Sequence, residues 1–156
     1  MKIVILVGLP GSGKSTWAKR QGVTPLSSDA TRALLMDDQT AQNANAQVFA
    51  TLRYLLVERL RLGRPLTIVD ATHLQPWERE PYFSIAREHG ATIEAVFFDT
   101  PASECKRRNQ LRQRQVPDDA IDAMATKLTP PTTGEGFSKV MIVTPSATPT
   151  GPRQGS

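Results

Sequence analysis

The sequence predicts an α/β fold: a parallel sheet of about five strands with helices on both faces. Three observations predict it. Short, β-branched apolar runs alternate with segments of helical period along most of the 156 residues. The spacers between runs are of helix length, and parallel neighbours need such crossover connections. Glycine and proline punctuate the junctions, at Gly22, at Gly63-Arg64-Pro65 and at Gly90.

The elements follow in order. Lys2 to Val7 is a β-branched apolar run that suits a strand buried on both faces. Residues from Lys14 to about Gln21 favour a helix, with Trp17 and Ala18 available to the core and Gly22 as its stop. Val23 to Ser27 reads as a second strand, after which Ser28 or Asp29 can cap a helix. A long helical pattern carries Val48, Leu52, Leu55, Leu56 and Leu60 toward the sheet. Leu66 to Val69 reads as a strand ending in Asp70, Pro76 to Glu88 as a helix closed by Gly90, and Thr92 to Phe98 as a strand. A basic helical segment, a helix from about Pro117 to Leu128 and a strand from Lys139 to Val143 complete the pattern.

Length and composition fit one domain over residues 1–143. A composition of 39% apolar and 22% charged residues is that of a globular chain rather than a disordered one. Residues 144–156 lack large apolar side chains and read as a disordered tail. No run approaches the roughly 18 apolar residues of a bilayer span, and the N-terminal apolar run leads into glycines and a lysine rather than a cleavage site. No signal peptide is expected. Cys105 is the one cysteine, which excludes an internal disulfide and a cysteine-based zinc site and suits the reducing cytoplasm. Its helical setting without a nearby histidine reads as a bystander thiol.

The formal charge of +4 is concentrated. Lys106, Arg107, Arg108, Arg112 and Arg114 fall in one segment without an acidic residue, and the remainder of the chain is close to neutral. Such a patch points to a polyanion held at one place, a triphosphate or a nucleic-acid backbone.

The run Gly8-Leu9-Pro10-Gly11-Ser12-Gly13-Lys14-Ser15 identifies the first ligand. Between a strand and a helix, its glycines let the backbone amides converge where the helix dipole is positive, which is the cradle of a nucleoside triphosphate. Gly11, Ser12 and Gly13 line it, Lys14 reaches the β and γ phosphates, the Ser15 hydroxyl ligates Mg²⁺ and Thr16 is the next hydroxyl. Asp70, at the end of a hydrophobic strand, can hold Mg²⁺ through water or cap its loop. Asp29 stands at a strand-to-helix junction facing the same crevice, where a carboxylate can take a hydroxyl proton. Arg32, three residues on, can hold an acceptor phosphate. A capping aspartate with a surface ion pair is the alternative for these two. His73 reads as a hydrogen-bonded loop residue, and His89 as an exposed helix-end residue.

These motifs carry a resemblance. Gly-Ser-Gly-Lys-Ser-Thr-Trp, then Ser27-Ser28-Asp29-Ala30-Thr31-Arg32, Val69-Asp70-Ala71-Thr72-His73 and Arg108-Asn109-Gln110-Leu111-Arg112 resemble the kinase module of the 5′-hydroxyl polynucleotide kinases, most of all that of bacterial RNA end-healing enzymes. The likeness runs from the first strand to about Val143. It implies ATP or another NTP as phosphoryl donor, Mg²⁺, and a 5′-hydroxyl DNA or RNA end as acceptor. It further implies Asp29 as general base, Arg32 on the adjacent phosphate, and a helical lid whose Arg108, Arg112 and Arg114 clamp the nucleotide. Gln42 matches a glutamine near the family's active site. For the lid, a solvated basic helix is the alternative, disfavoured by the lack of acidic partners at helical spacing. Phosphatase or ligase domains often accompany the family's module, and this chain carries neither. Two other functions share the motifs: a small-molecule kinase, which need not place an arginine after Asp29, and a non-catalytic nucleotide-binding module, which tolerates loss of the base.

Overall fold

A computed structural model describes residues 1–112 and 116–145. Five strands form one parallel sheet in the order β2-β3-β1-β4-β5. β1 (Lys2–Val7) occupies its centre, between β3 (Leu66–Asp70) and β4 (Thr92–Phe98). The fold class read from the sequence is therefore the one observed.

β1 is apolar along its length because both of its faces are covered. Ile3, Ile5 and Val7 join Leu52, Leu56, Tyr82 and Phe83 on one side, while Val4 and Leu6 join Trp17, Ala18 and Phe98 on the other. The first face receives α3 (Asn45–Arg61) and α4 (Pro76–His89), and the second receives α1 (Lys14–Lys19). Val48, Leu52, Leu56 and Leu60 of α3 are buried at a four-residue spacing. Leu55, expected in that stripe, stands at its edge and is 39% exposed, because its neighbour Leu56 already occupies the inward direction.

β2 is shorter than expected. It spans Leu26–Ser27 only, since Pro25 has no N–H to give a ladder and the pairing with Val69 and Asp70 begins after it. α1 ends at Lys19, and Arg20 and Gln21 continue in three-residue turn bonds to Trp17 and Ala18. α2 (Ser28–Met36) is capped by neither Ser28 nor Asp29 but by Ser27, whose hydroxyl accepts from the Ala30 N–H at 3.2 Å. Asp29 is thereby left in the first turn.

The C-terminal third consists of α5 (Ala102–Gln110), α6 (Asp118–Lys127), a short 3-10 turn at Thr133–Glu135 and β5 (Lys139–Val143). Arg79 of α4 holds this region to the loop after β3. Fully buried, it donates to His73 O, Leu74 O and Thr129 O and pairs with Glu135 at 2.8 Å. A buried guanidinium with this many acceptors is compensated for its lost water. The expected tail from residue 144 lies, from residue 146 on, outside the described residues. Among the described residues no helix is long and apolar enough to cross a membrane.

Candidate active site

A cleft of about 1020 Å³ opens at the carboxyl ends of β1, β2 and β3, where an open α/β sheet presents its ligand crevice. The glycine loop forms its floor. Gly11 and Gly13 have φ of +81° and +105°, the left-handed region that glycine enters without steric cost. Gly11 is also constrained by its neighbour: a Cβ there would stand 2.8 Å from the carbonyl oxygen of Cys105, so α5 lies directly against the loop. Thr100 Oγ1 braces the loop from the same side by donating to Ser12 O at 3.1 Å. Ser12 Oγ is buried and makes no hydrogen bond.

Lys14 is buried, and its Nζ donates to Gly8 O at 2.9 Å and Leu9 O at 2.8 Å. Burial lowers its pKa to about 8, against the opposing pull of the Asp70 carboxylate. At neutral pH the ammonium is still charged. Ser15 Oγ donates to Asp70 Oδ2 at 2.9 Å, bringing together the two residues expected at the metal. Burial raises the Asp70 carboxyl above its ordinary range, partly offset by Lys14 and the Ser15 bond. Thr16 lines the cleft beside them.

Asp29 and Arg32 face the cleft from the first turn of α2. Arg32 Nη1 donates to Asp29 Oδ1 at 3.1 Å, and Nη2 donates to Asn45 Oδ1 at 2.9 Å. The surface ion pair of the alternative reading is only half present, for Arg32 is 6% exposed while Asp29 is open to the cleft. Gln42 lines the same end, and its Oε1 accepts from Asn45 Nδ2 at 3.3 Å.

From the lid segment, Arg108 and Arg112 line the opposite side of the cleft. Arg108 Nη1 stands 3.5 Å from Gly11 O, and Arg112 is near enough to Lys14 to depress its pKa. Arg114 lies outside the described residues. One expectation is corrected here. An acidic partner does exist at helical spacing: Glu104 accepts from Arg107 Nε at 2.9 Å and from Arg108 Nε at 3.3 Å. From α6, Asp122 adds an ion pair to Lys106 at 3.0 Å. The bonds from Arg107 hold Glu104 down to a pKa of about 2. The basic segment is thus partly neutralised on its outer side, and Arg108 is split between Glu104 and the glycine loop.

Both histidines stand away from this chemistry. His73 is buried, its Nδ1 2.6 Å from Leu6 O and its Nε2 3.3 Å from the Tyr82 hydroxyl, and burial lowers its pKa to about 4. His89, expected to be exposed, is half-buried because its Nδ1 turns back on Ile85 O at 3.0 Å. Cys105 is buried, with a thiol pushed up by burial. Sequence reasoning missed Asn45, Thr100 and Glu104. Only Glu104 carried a signal, its i,i+3 and i,i+4 spacing to Arg107 and Arg108.

Comparisons with known proteins bear on the family and the fold. A family model described as AAA domain matches residues 3–131. The bifunctional polynucleotide phosphatase/kinase of Schizosaccharomyces pombe is 26% identical over 147 residues, covering 89% of this chain and 32% of that protein. The chain therefore spans about a third of the length of that relative. A chain of the Pnkp1/Rnl/Hen1 RNA repair complex superposes with a TM-score of 0.68 at 26% identity, over 81% of this chain and 43% of that one. The APS kinase CysC of Mycobacterium tuberculosis, in complex with AMPPNP and APS, shares the fold with a TM-score of 0.58 at 22% identity, over 94% of this chain and 90% of that one. With a family match running from β1 past α6 and a glycine loop in place between β1 and α1, the chain belongs to the AAA domain family and has the fold of the P-loop kinases.

Proposed function

We propose that residues 1–143 form a polynucleotide kinase domain that transfers the γ-phosphate of ATP, or of another NTP, to the 5′-hydroxyl end of DNA or RNA. One observation carries the reading: Asp29 and Arg32 share a helix turn in the cleft that holds Lys14 and the Ser15–Asp70 pair. The similarity to the polynucleotide phosphatase/kinase and to the RNA repair chain supports it.

In this reading the triphosphate lies on Gly11, Ser12 and Gly13, and Lys14 turns from the carbonyls of Gly8 and Leu9 to the β and γ phosphates. Arg108 and Arg112 approach from the lid side and balance the charge that spreads over the γ-phosphoryl group. Asp29 orients the acceptor hydroxyl and takes its proton. The acceptor oxygen forms a bond to the γ phosphorus as the bond to the β–γ bridging oxygen breaks, and ADP departs. Arg32 holds the phosphate next to the attacked hydroxyl, which fixes the acceptor in line.

The residues present fit Mg²⁺. The hydroxyl of Ser15 and the carboxylate of Asp70 are hard oxygen donors already in contact, the kind of sparse protein set that Mg²⁺ uses with phosphates. When bound, the ion offsets charge on the β and γ oxygens.

The test is end-labelling of 5′-hydroxyl DNA and RNA oligonucleotides with γ-labelled ATP and Mg²⁺. Transfer to neither, with transfer to a small hydroxyl compound instead, assigns the chain to the small-molecule kinases that share its fold. ATP binding without transfer to any acceptor assigns it to non-catalytic nucleotide-binding modules.

A further inference from the structure

Asn45 was not marked by any motif, yet it makes a specific contact with the acceptor side of the cleft. As the first residue of α3, it accepts from Arg32 Nη2 at 2.9 Å through Oδ1. Its own amide nitrogen donates to Gln42 Oε1 at 3.3 Å, which fixes which end of the amide faces the guanidinium. Arg32 is thereby divided. Nη1 is given to Asp29 Oδ1 at 3.1 Å, Nη2 to Asn45, and Nε, although buried, makes no hydrogen bond.

That division has a chemical consequence. A guanidinium beside a carboxylate favours the bidentate pair, in which two parallel N–H groups cover both carboxylate oxygens. In that arrangement Asp29 would be withdrawn from a hydroxyl and Arg32 from a phosphate. An acceptor oxygen on Nη2 holds Arg32 to a single bond with Asp29. Each Nη nitrogen carries a second N–H, so a guanidinium held to one bond with Asp29 and one with Asn45 keeps donors for an incoming anionic oxygen.

We propose that Asn45 is a positioning residue that keeps Arg32 from closing on Asp29, and that it thereby sets the preference for acceptors bearing a phosphate next to the attacked hydroxyl. This rests on the polynucleotide kinase reading above. Asn45 acts through Arg32, and its side-chain bonds run to Arg32 and Gln42.

The experiment compares kcat/KM for a nucleoside 3′-monophosphate and for the same nucleoside without phosphate, in wild type, Asn45→Ala, Arg32→Ala and the double variant. Asn45→Ala is expected to reduce the preference for the phosphorylated acceptor about tenfold, the size of one lost hydrogen bond to a charged group. The KM for ATP is expected to stay unchanged. In the Arg32→Ala background Asn45→Ala is expected to have no further effect, since the contact it serves is gone. Asn45→Asp, which retains an oxygen for Nη2, is expected to keep most of the preference. Equal losses on both acceptors, or an undiminished effect of Asn45→Ala without Arg32, would assign Asn45 a purely structural role and overturn the inference while leaving the kinase reading intact. If wild type phosphorylates no 5′-hydroxyl acceptor, the kinase reading itself falls, and this inference with it.

Discussion

Ser15 Oγ donates to Asp70 Oδ2 across 2.9 Å, joining the first turn of α1 to the carboxyl end of β3 over 55 residues of sequence. Two adjacent strand ends make that contact possible, because the parallel order places β3 beside β1, from which the glycine loop departs. The pair is the proposed protein share of the Mg²⁺ site. Asp70→Ala is expected to raise the Mg²⁺ concentration giving half-maximal phosphoryl transfer by about 10- to 100-fold, as losses around metal sites commonly do. Metal titration at saturating ATP checks it, and an unchanged midpoint argues for a loop-capping role alone.

In the proposed nucleotide site, Lys14 is expected to make binding depend on pH. Burial lowers its pKa to about 8 in the free protein, and phosphate oxygens favour the charged form. ATP binding is therefore expected to take up a proton increasingly as pH rises from neutrality through about 8. Calorimetry in buffers of different ionisation enthalpy measures that uptake. Lys14→Ala is expected to abolish it along with most of the affinity.

His73 makes stability depend on pH in the acidic range. Its folded pKa is about 4 against an ordinary 6.5, so between these values the unfolded chain binds more protons. Stability from this group is present above about pH 6.5 and is lost as pH falls toward about 4, by at most about 1.4 kcal/mol per pH unit. Asp70 opposes this above the ordinary carboxylate range, because its raised pKa lets the folded chain keep a proton longer. Comparison with His73→Asn isolates the histidine, since asparagine tolerates the backbone φ of +46° found there. The variant is expected to show a flatter dependence of denaturation midpoint on pH between about 4 and 6.5, and an identical dependence would contradict it.

Gly11 is where α5 meets the glycine loop. With φ of +81° and a Cys105 carbonyl 2.8 Å from any added Cβ, Gly11→Ala must move α5 or distort the loop. Both stability and the affinity for ATP are expected to fall, stability by about 1–3 kcal/mol, read as a lowered melting temperature. Gly22→Ala, with no atom within 4 Å of its Cβ but φ of +78°, serves as a control for backbone strain alone. Equal ATP affinity in the two variants would deny the contact with α5 a role in the cradle.

Most of the fold was legible because it rests on local patterns. β1, β3 and β4 follow the apolar runs, since a strand buried on both faces admits few polar residues. β5, an edge strand with Ile142 61% exposed, was legible from its β-branched run alone. β2 was not, because Pro25 cuts its pairing to two residues while leaving its apolar character unchanged. The glycine loop was legible because its glycines and Lys14 lie within a few residues of one another. The Asp29–Arg32 contact followed from helical spacing, but the third partner did not. Asn45 reaches Arg32 only through the loop between α2 and α3, and nothing in Gln42-Asn43-Ala44-Asn45 distinguishes one polar amide from the next. The neutralisation of the basic segment by Glu104 was readable from its i,i+3 and i,i+4 spacing, although Glu104 itself stands two residues before the basic run begins.

The most direct test of the proposed transfer is the initial rate at which γ-labelled ATP phosphorylates a 5′-hydroxyl oligonucleotide, measured for wild type and Asp29→Asn with ATP affinity determined in parallel. The expected result is Mg²⁺-dependent labelling by wild type and a loss of about 10²- to 10⁴-fold in kcat for Asp29→Asn, the range of a general base, with ATP affinity retained. Labelling by Asp29→Asn at the wild-type rate, or no labelling of DNA or RNA ends by wild type, would contradict it.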